Sequence, residues 1–218
     1  MANLYELAEG IRESGIPTHF DPNHSRLLIE VWRLVARGTP VSDAQVKQAA
    51  SHNNMPCETA LFFIQKISER DESGNVIGIF GLSQRKHPHE FQVNGRVFST
   101  WCAWDALFLP AMLKQTARVK SSCPLSQERI KLTLTPKCVQ HSDPASTVLS
   151  IVLPETTKSG FDKVEEVWMA FCCHVHFFKS LDAASEWFSG KNQNPVFLTV
   201  EQGYDLGKLA FRELLEYV

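Results

Sequence analysis

The stretch Phe91-Gln92-Val93-Asn94-Gly95-Arg96-Val97-Phe98 sets short apolar runs on either side of an Asn-Gly pair. Asn and Gly both accept the positive φ of a type I′ turn, so the octapeptide predicts an antiparallel hairpin. Downstream, further β-type runs follow at Ala117-Arg118-Val119, Ile130 to Leu134 with strict alternation, Val148 to Val152 and Val196 to Val200. Helical patterns at Lys163 to Met169, Ala183 to Phe188 and Gln202 to Tyr217 lie between and after them, and Cys172 to Phe178 reads as extended. Residues 81–218 are thus expected to form a mixed α+β domain with a small antiparallel sheet.

Upstream of about residue 80 the period is helical. Leu4, Leu7, Ala8 and Ile11 share a face, as do Leu27, Leu28, Val31, Leu34 and Val35 in a segment closed by Gly38. Pro40-Val41-Ser42-Asp43 offers a cap for a helix to about Ser51, and Met55-Pro56-Cys57-Glu58 opens another. Asp71 to Asn75 then forms a turn between Ile67 to Arg70 and the β-prone Val76 to Phe80. Helices followed by a hairpin outline a winged-helix-like domain over residues 1–80, which makes the whole chain α+β.

A winged helix raises the question of DNA. Residues 1–80 hold seven Lys+Arg against ten Asp+Glu, and the 218-residue chain has a formal net charge of -2. Duplex binding needs a basic face that displaces counterions from several phosphates, and the candidate recognition helix offers only Lys66 against Glu58. No nucleic-acid partner is expected, and the first domain reads as a packing or lid module. The amino terminus has no basic start followed by an apolar core, and the longest nearly apolar run, Ala106 to Leu113, is far short of the roughly 20 residues that span a bilayer. A cytoplasmic protein without a membrane segment is predicted, its six cysteines present as thiols.

Two stretches carry chemistry. In Trp101-Cys102-Ala103-Trp104-Asp105 the cysteine precedes an apolar run; at a helix amino end it would meet free N–H groups that favour a thiolate, with Asp105 three residues on along the same face. The plain alternative is a buried small side chain and an ordinary first-turn acid. In Phe171-Cys172-Cys173-His174-Val175-His176-Phe177-Phe178 two thiols and two imidazoles fall within five residues, and on a strand Cys172, His174 and His176 share a face. The spacing is wrong for a closed zinc site, so the histidines read as hydrogen-bonded imidazoles beside Phe177 and Phe178. Two thiols from distant parts of the chain, one with a carboxyl beside it, are suited to gripping a soft two-coordinate metal while the acid moves a proton. Cleavage of a carbon–mercury bond needs that set of groups.

These segments resemble the alkylmercury lyases, in which W-C-A-x-D is followed by F-P-A and by F-C-C-H-V-H-F-F. Here they stand as Trp101 to Asp105, Phe108-Leu109-Pro110-Ala111 and Phe171 to Phe178, with supporting pieces at Gly74 to Gly78, Thr116 to Val119 and Ser150 to Pro154. The likeness covers about residues 25–218 and makes 81–218 the catalytic domain. It implies that Cys102 and Cys172 are catalytic thiolates that also hold the Hg(II) product, with Asp105 as proton carrier and possible third ligand. Trp101, Trp104, Phe177 and the neighbouring Cys173 are implied as substrate-binding positions. By the same resemblance R–Hg⁺ yields the hydrocarbon RH without an organic cofactor, and Hg(II) passes to cellular thiols or to a mercuric reductase. Trp104 departs from the pattern, which has a smaller aliphatic residue there. Two other readings stand beside the lyase, a non-catalytic thiol protein that binds and transfers mercury or another soft metal, and a winged-helix metal sensor.

Overall fold

The computed structural model describes residues 3–154, 161 and 163–218. Four helices come first, α1 (Leu4–Glu13), α2 (Pro22–Val35), α3 (Asp43–His52) and α4 (Cys57–Ile67), in the four segments with helical signals. Local chemistry accounts for where they begin. Asn3, Asp21 and Ser42 accept first-turn N–H groups, Pro22 sits where no helical N–H bond is lost, and Ser42 with Gln45 closes a reciprocal capping box. The strands β1 (Ser68–Arg70) and β2 (Val76–Ile79) then pair around a turn in which the Asp71 carboxylate accepts the N–H groups of Ser73 and Asn75.

These two strands are one edge of a larger sheet. With β3 (Leu82–Ser83), β4 (His89–Val93), β5 (Arg96–Thr100), β6 (Ala117–Ser122), β7 (Arg129–Leu134) and β8 (Val139–Asp143) they form eight strands in the order β1-β2-β3-β5-β4-β6-β7-β8. The expectation of a small sheet is therefore corrected. Its extent was hidden because β3 has two residues and β8 is a largely exposed edge with no apolar alternation. The sheet also crosses the proposed 80/81 division unbroken, since Ile79 pairs with Leu82. Between them Phe80 and Gly81 form a two-residue loop with φ of 37° and 95°. The Asn94-Gly95 turn takes the I′-type values foreseen for it, φ 51° and 74°.

Helix α5 (Ala103–Leu113) lies between β5 and β6, and all eleven of its residues are buried. A helix enclosed on every side shows no amphipathic stripe, so its sequence is simply apolar. Beyond it come β9 (Val148–Ile151), α6 (Val164–Ala170), a 3₁₀ turn at Cys172–His174, β10 (Phe177–Phe178), α7 (Leu181–Phe188), β11 (Val196–Thr199), α8 (Val200–Ala210) and α9 (Arg212–Leu215). β10, β9 and β11 form a second antiparallel sheet. The expected continuous final helix is broken at Phe211, whose buried ring packs 4.5 Å from that of Phe108 and 5.6 Å from that of Trp104. The extended segment expected at 172–178 is also corrected: only Phe177 and Phe178 are strand, so Cys172, His174 and His176 do not share a strand face. Among the described residues no helix is long and apolar enough to cross a membrane.

α5 and α8 approach closely because α8 presents Gly203 and Gly207. A Cβ on Gly207 would lie 2.7 Å from Phe108 Cβ, and one on Gly203 would lie 2.7 Å from Leu107 Cδ1. Gly207→Ala gains about 1 kcal/mol of helix propensity but forces two buried helices apart, at about 1–3 kcal/mol. The clash is expected to win. The urea midpoint of Gly207→Ala should fall with an unchanged m value, and a midpoint equal to or above wild type would show that the contact is not tight.

Candidate active site

Cys102 is the N-cap of α5, in extended conformation with φ −139° and ψ 174°. It stands where Ser or Thr stands in an ordinary capping box, and Asp105 stands at the third helical position. The Asp105 carboxylate accepts the Cys102 backbone N–H at 2.8 Å, and the thiol faces the Asp105 N–H. Helix capping by itself therefore sets a thiol against a carboxyl. Thr100 fixes the approach to the cap by donating its hydroxyl to the Cys102 carbonyl at 2.8 Å.

The second thiol arrives through the backbone. Val175 accepts the N–H of Ala103 at 3.3 Å, which ties the 172–175 turn to the start of α5. The turn is fastened from behind by Ser150, fully buried on β9: its N–H donates to the His176 carbonyl at 3.0 Å, its hydroxyl donates to the His174 carbonyl at 3.2 Å and accepts the His176 N–H at 3.1 Å. As a result a sulfur of Cys102, a sulfur of Cys172 and a carboxylate oxygen of Asp105 all lie within 4.8 Å of one another, and all three residues are buried.

Burial decides their protonation. It pushes the Cys102 thiol well above its ordinary value, helped by the hydrogen bond with Cys172 and the charge of Asp105, and the N–H groups at the helix start do not compensate. The expectation of a thiolate favoured by the helix end is thus reversed in the free protein. At Cys172 the hydrogen bond with Cys102 pulls downward, but burial and Asp105 outweigh it and the thiol is raised. Asp105 is raised by burial to about 6, against hydrogen bonds from Cys102 and the charge of His87 that pull it down. Elsewhere, at Cys123, burial is overcome by N–H donors from Lys179, Ser126 and Leu125, and that thiol is lowered instead.

A cavity of about 20 Å³ opens on Asp105 and Cys172 and is walled by Trp101, Trp104, Phe108, Phe171 and Phe211, with Ile16, Phe80, Gly81 and Val167 completing it. Trp101 and Trp104 thus both lie in the cavity wall. Phe177 does not line this cavity: it is buried with its ring edge-on to His89 at 5.6 Å, because the 3₁₀ turn rotates the chain before β10 begins. Cys173 also faces away, half-buried, its sulfur donating to the Met169 carbonyl at 3.1 Å. His174 meets the Gln193 amide, and His176 packs near Trp187 with burial holding it neutral down to about 4. Both behave as ordinary packed imidazoles.

Ile16, Phe80 and Phe211 were invisible as site residues because they come from the α1–α2 connection, the β2–β3 loop and the break between α8 and α9. Gly81 did carry a signal, a glycine directly after a β-prone run. A Cβ there would lie 2.8 Å from Asp105 Cγ, so the carboxyl occupies space only glycine leaves free.

The raised Asp105 has a stability consequence. An acid ionising at 3.8 when unfolded and at about 6 when folded stabilises the fold only while protonated, so stability falls as pH rises through that window, by about 3 kcal/mol in all. Asp105→Asn keeps an oxygen acceptor for the Cys102 N–H and removes the charge. Its urea midpoint should exceed that of wild type at pH 7.5 and match it near pH 4; an offset equal at both pH values would exclude ionisation as the cause.

The profile of the alkylmercury lyase (MerB) family matches residues 82–212. An alkylmercury lyase of Pseudomonas putida is 35% identical over 211 residues, covering 97% of this chain and 93% of that one, which carries the likeness into the first 25 residues. One from Streptomyces lividans is 36% identical over 191 residues, 85% of this chain and 83% of its own. Among solved structures, the mercury-bound form of MerB2 superposes with a TM-score of 0.72 over 97% of both chains at 20% identity, a likeness of fold.

Proposed function

The chain belongs to the alkylmercury lyase family, and from that premise we propose that Cys102, Cys172 and Asp105 break the carbon–mercury bond of R–Hg⁺. The observation that carries the assignment is the meeting of two thiols and one carboxyl within 4.8 Å, with Cys172 and Asp105 opening on an apolar cavity. In this reading both cysteines enter as thiols, as their burial dictates. Mercury's affinity for sulfur displaces their protons; Asp105, raised to about 6, accepts one of them and the other leaves to solvent. Two sulfurs on mercury raise its electron density and weaken its bond to carbon. The bonding pair goes to carbon, which is too basic to leave bare and takes the proton from Asp105 as RH. Hg(II) stays on Cys102 and Cys172, with Asp105 within reach as a third ligand.

The apolar wall gives the organic group a dry seat and keeps water from the reacting carbon. Trp101 and Trp104 serve as its contact surfaces, and Cys173 is an accessory outside it. No organic cofactor enters, and Hg(II) is passed on to cellular thiols or to a mercuric reductase in the cytoplasm. Residues 1–80, winged-helix-like in outline, act as cover rather than as a DNA reader: Ile16 and Phe80 reach the cavity, and the segment is net acidic. A carrier that only binds mercury needs two thiols and gains nothing from a buried carboxyl that costs about 3 kcal/mol when ionised. That carboxyl favours the lyase.

The test is release of methane from methylmercury in excess thiol. Wild type should turn over and Asp105→Ala should bind mercury without releasing hydrocarbon; stoichiometric binding without methane by wild type would exclude the lyase. Cys102→Ser and Cys172→Ser should each lose turnover by at least about a hundredfold, since a hydroxyl is a poor mercury ligand, and serine at 102 still caps α5 so folding survives. Cys173→Ser should keep most activity.

A further inference from the structure

Three tryptophans are buried, and two of their indole N–H groups are accounted for. Trp32 Nε1 donates to the Ile79 carbonyl at 2.9 Å and Trp104 Nε1 to the Gly203 carbonyl at 3.0 Å. Trp101 is 4% exposed, and among the described residues its Nε1 has no hydrogen-bond partner. An unpaired buried donor is costly, and nine in ten or more such groups in proteins are satisfied. Trp101 lines the same cavity as Asp105 and Cys172, next in sequence to the reactive thiol. An orphan donor at that place points to an acceptor that arrives with the substrate.

The organic group of a simple alkylmercurial accepts no hydrogen bond, but mercury does not travel bare. In a thiol-containing solution it carries a thiolate, as R–Hg–SR′. We propose that the Trp101 indole N–H binds that thiolate sulfur and holds it while a protein thiol displaces it. The proposal rests on the lyase reading above. The atoms balance: Cys102 and Cys172 bring two protons, and the substrate brings R and SR′. The Hg–SR′ bond breaks with its electron pair on sulfur, which takes one thiol proton and leaves as R′SH. The Hg–C bond breaks with its pair on carbon, which takes the other proton through Asp105. Both protein sulfurs end on Hg(II), and nothing is oxidised or reduced. The departing sulfur develops negative charge in a cavity with no cationic side chain in its lining among the described residues. A fixed N–H donor in that dry surrounding is the means of holding such an anion.

Trp101→Phe keeps a ring in the wall and removes the donor. With methylmercury carried by an alkanethiolate, kcat/KM should fall about tenfold. With an acidic arenethiolate, whose sulfur bears less charge, the loss should be under about twofold, and single-turnover methane release after the thiol has left should be unchanged. An equal loss with both thiols, or no loss with either, would overturn the proposal. Should Trp101→Phe fail to fold, wild type grown with fluorotryptophan at all five tryptophans provides a stronger donor. Its alkanethiolate-to-arenethiolate rate ratio should rise, and an unchanged ratio overturns the proposal equally. Failure of the lyase reading looks different, because wild type would then release no methane with any thiol, and the proposal would fall with it.

Discussion

The Asp105 carboxylate holding the Cys102 N–H at 2.8 Å starts α5, seats the first thiol and fixes a buried carboxyl beside it in one contact. Its placement inside the protein has a cost, because a charged carboxyl loses hydration there. Burial raises the group to about 6, so that it is protonated in mildly acidic solution and ionised above it. The remaining penalty, about 3 kcal/mol at most, is small beside the burial of Leu107, Phe108, Leu109, Met112 and Leu113 on the same helix, at roughly 1.5–3 kcal/mol each. The core helix thus carries a destabilising group that a purely structural helix would lack.

The same burial accounts for the resting state of the thiols. Both are raised by burial, and a carboxyl itself raised to about 6 lies within 4.8 Å of both sulfurs. The free cavity, at about 20 Å³, has room for little more than a water molecule. Ile16, Phe80, Gly81, Trp101, Phe171 and Phe211 are wall residues outside regular helix and strand. Ile16 and Phe80 give the first part of the chain a place in the cavity wall.

Much of this was legible in local chemistry. The Asn94-Gly95 hairpin, the cap at Ser42, and the Cys-Ala-Trp-Asp start of α5 are each written within a few residues, and each formed. The stretch from Cys172 to Phe178 was misread as extended because its β-type residues outweighed the turn that Ser150 imposes from another strand. Phe177 was consequently placed on the wrong side. The eight-stranded sheet was underestimated because β3 is too short and β8 too polar to carry a period, and the break at Phe211 follows from aromatic packing against Trp104 and Phe108 rather than from any helix-stopping residue.

What the sequence determined by itself was the reactive inventory: two cysteines and an aspartate in recognisable settings, with Cys102 and Asp105 already paired, since a helix cap acts over three residues. Tertiary structure alone decided that Cys172 completes the set, through the bond from Ala103 N–H to the Val175 carbonyl and the Ser150 clasp behind it. It also decided the sign of the electrostatics. A helix amino end taken alone favours a thiolate, yet desolvation depends on everything packed around the group, and here Phe80, Phe108, Phe171 and Phe211 enclose the site so fully that burial prevails.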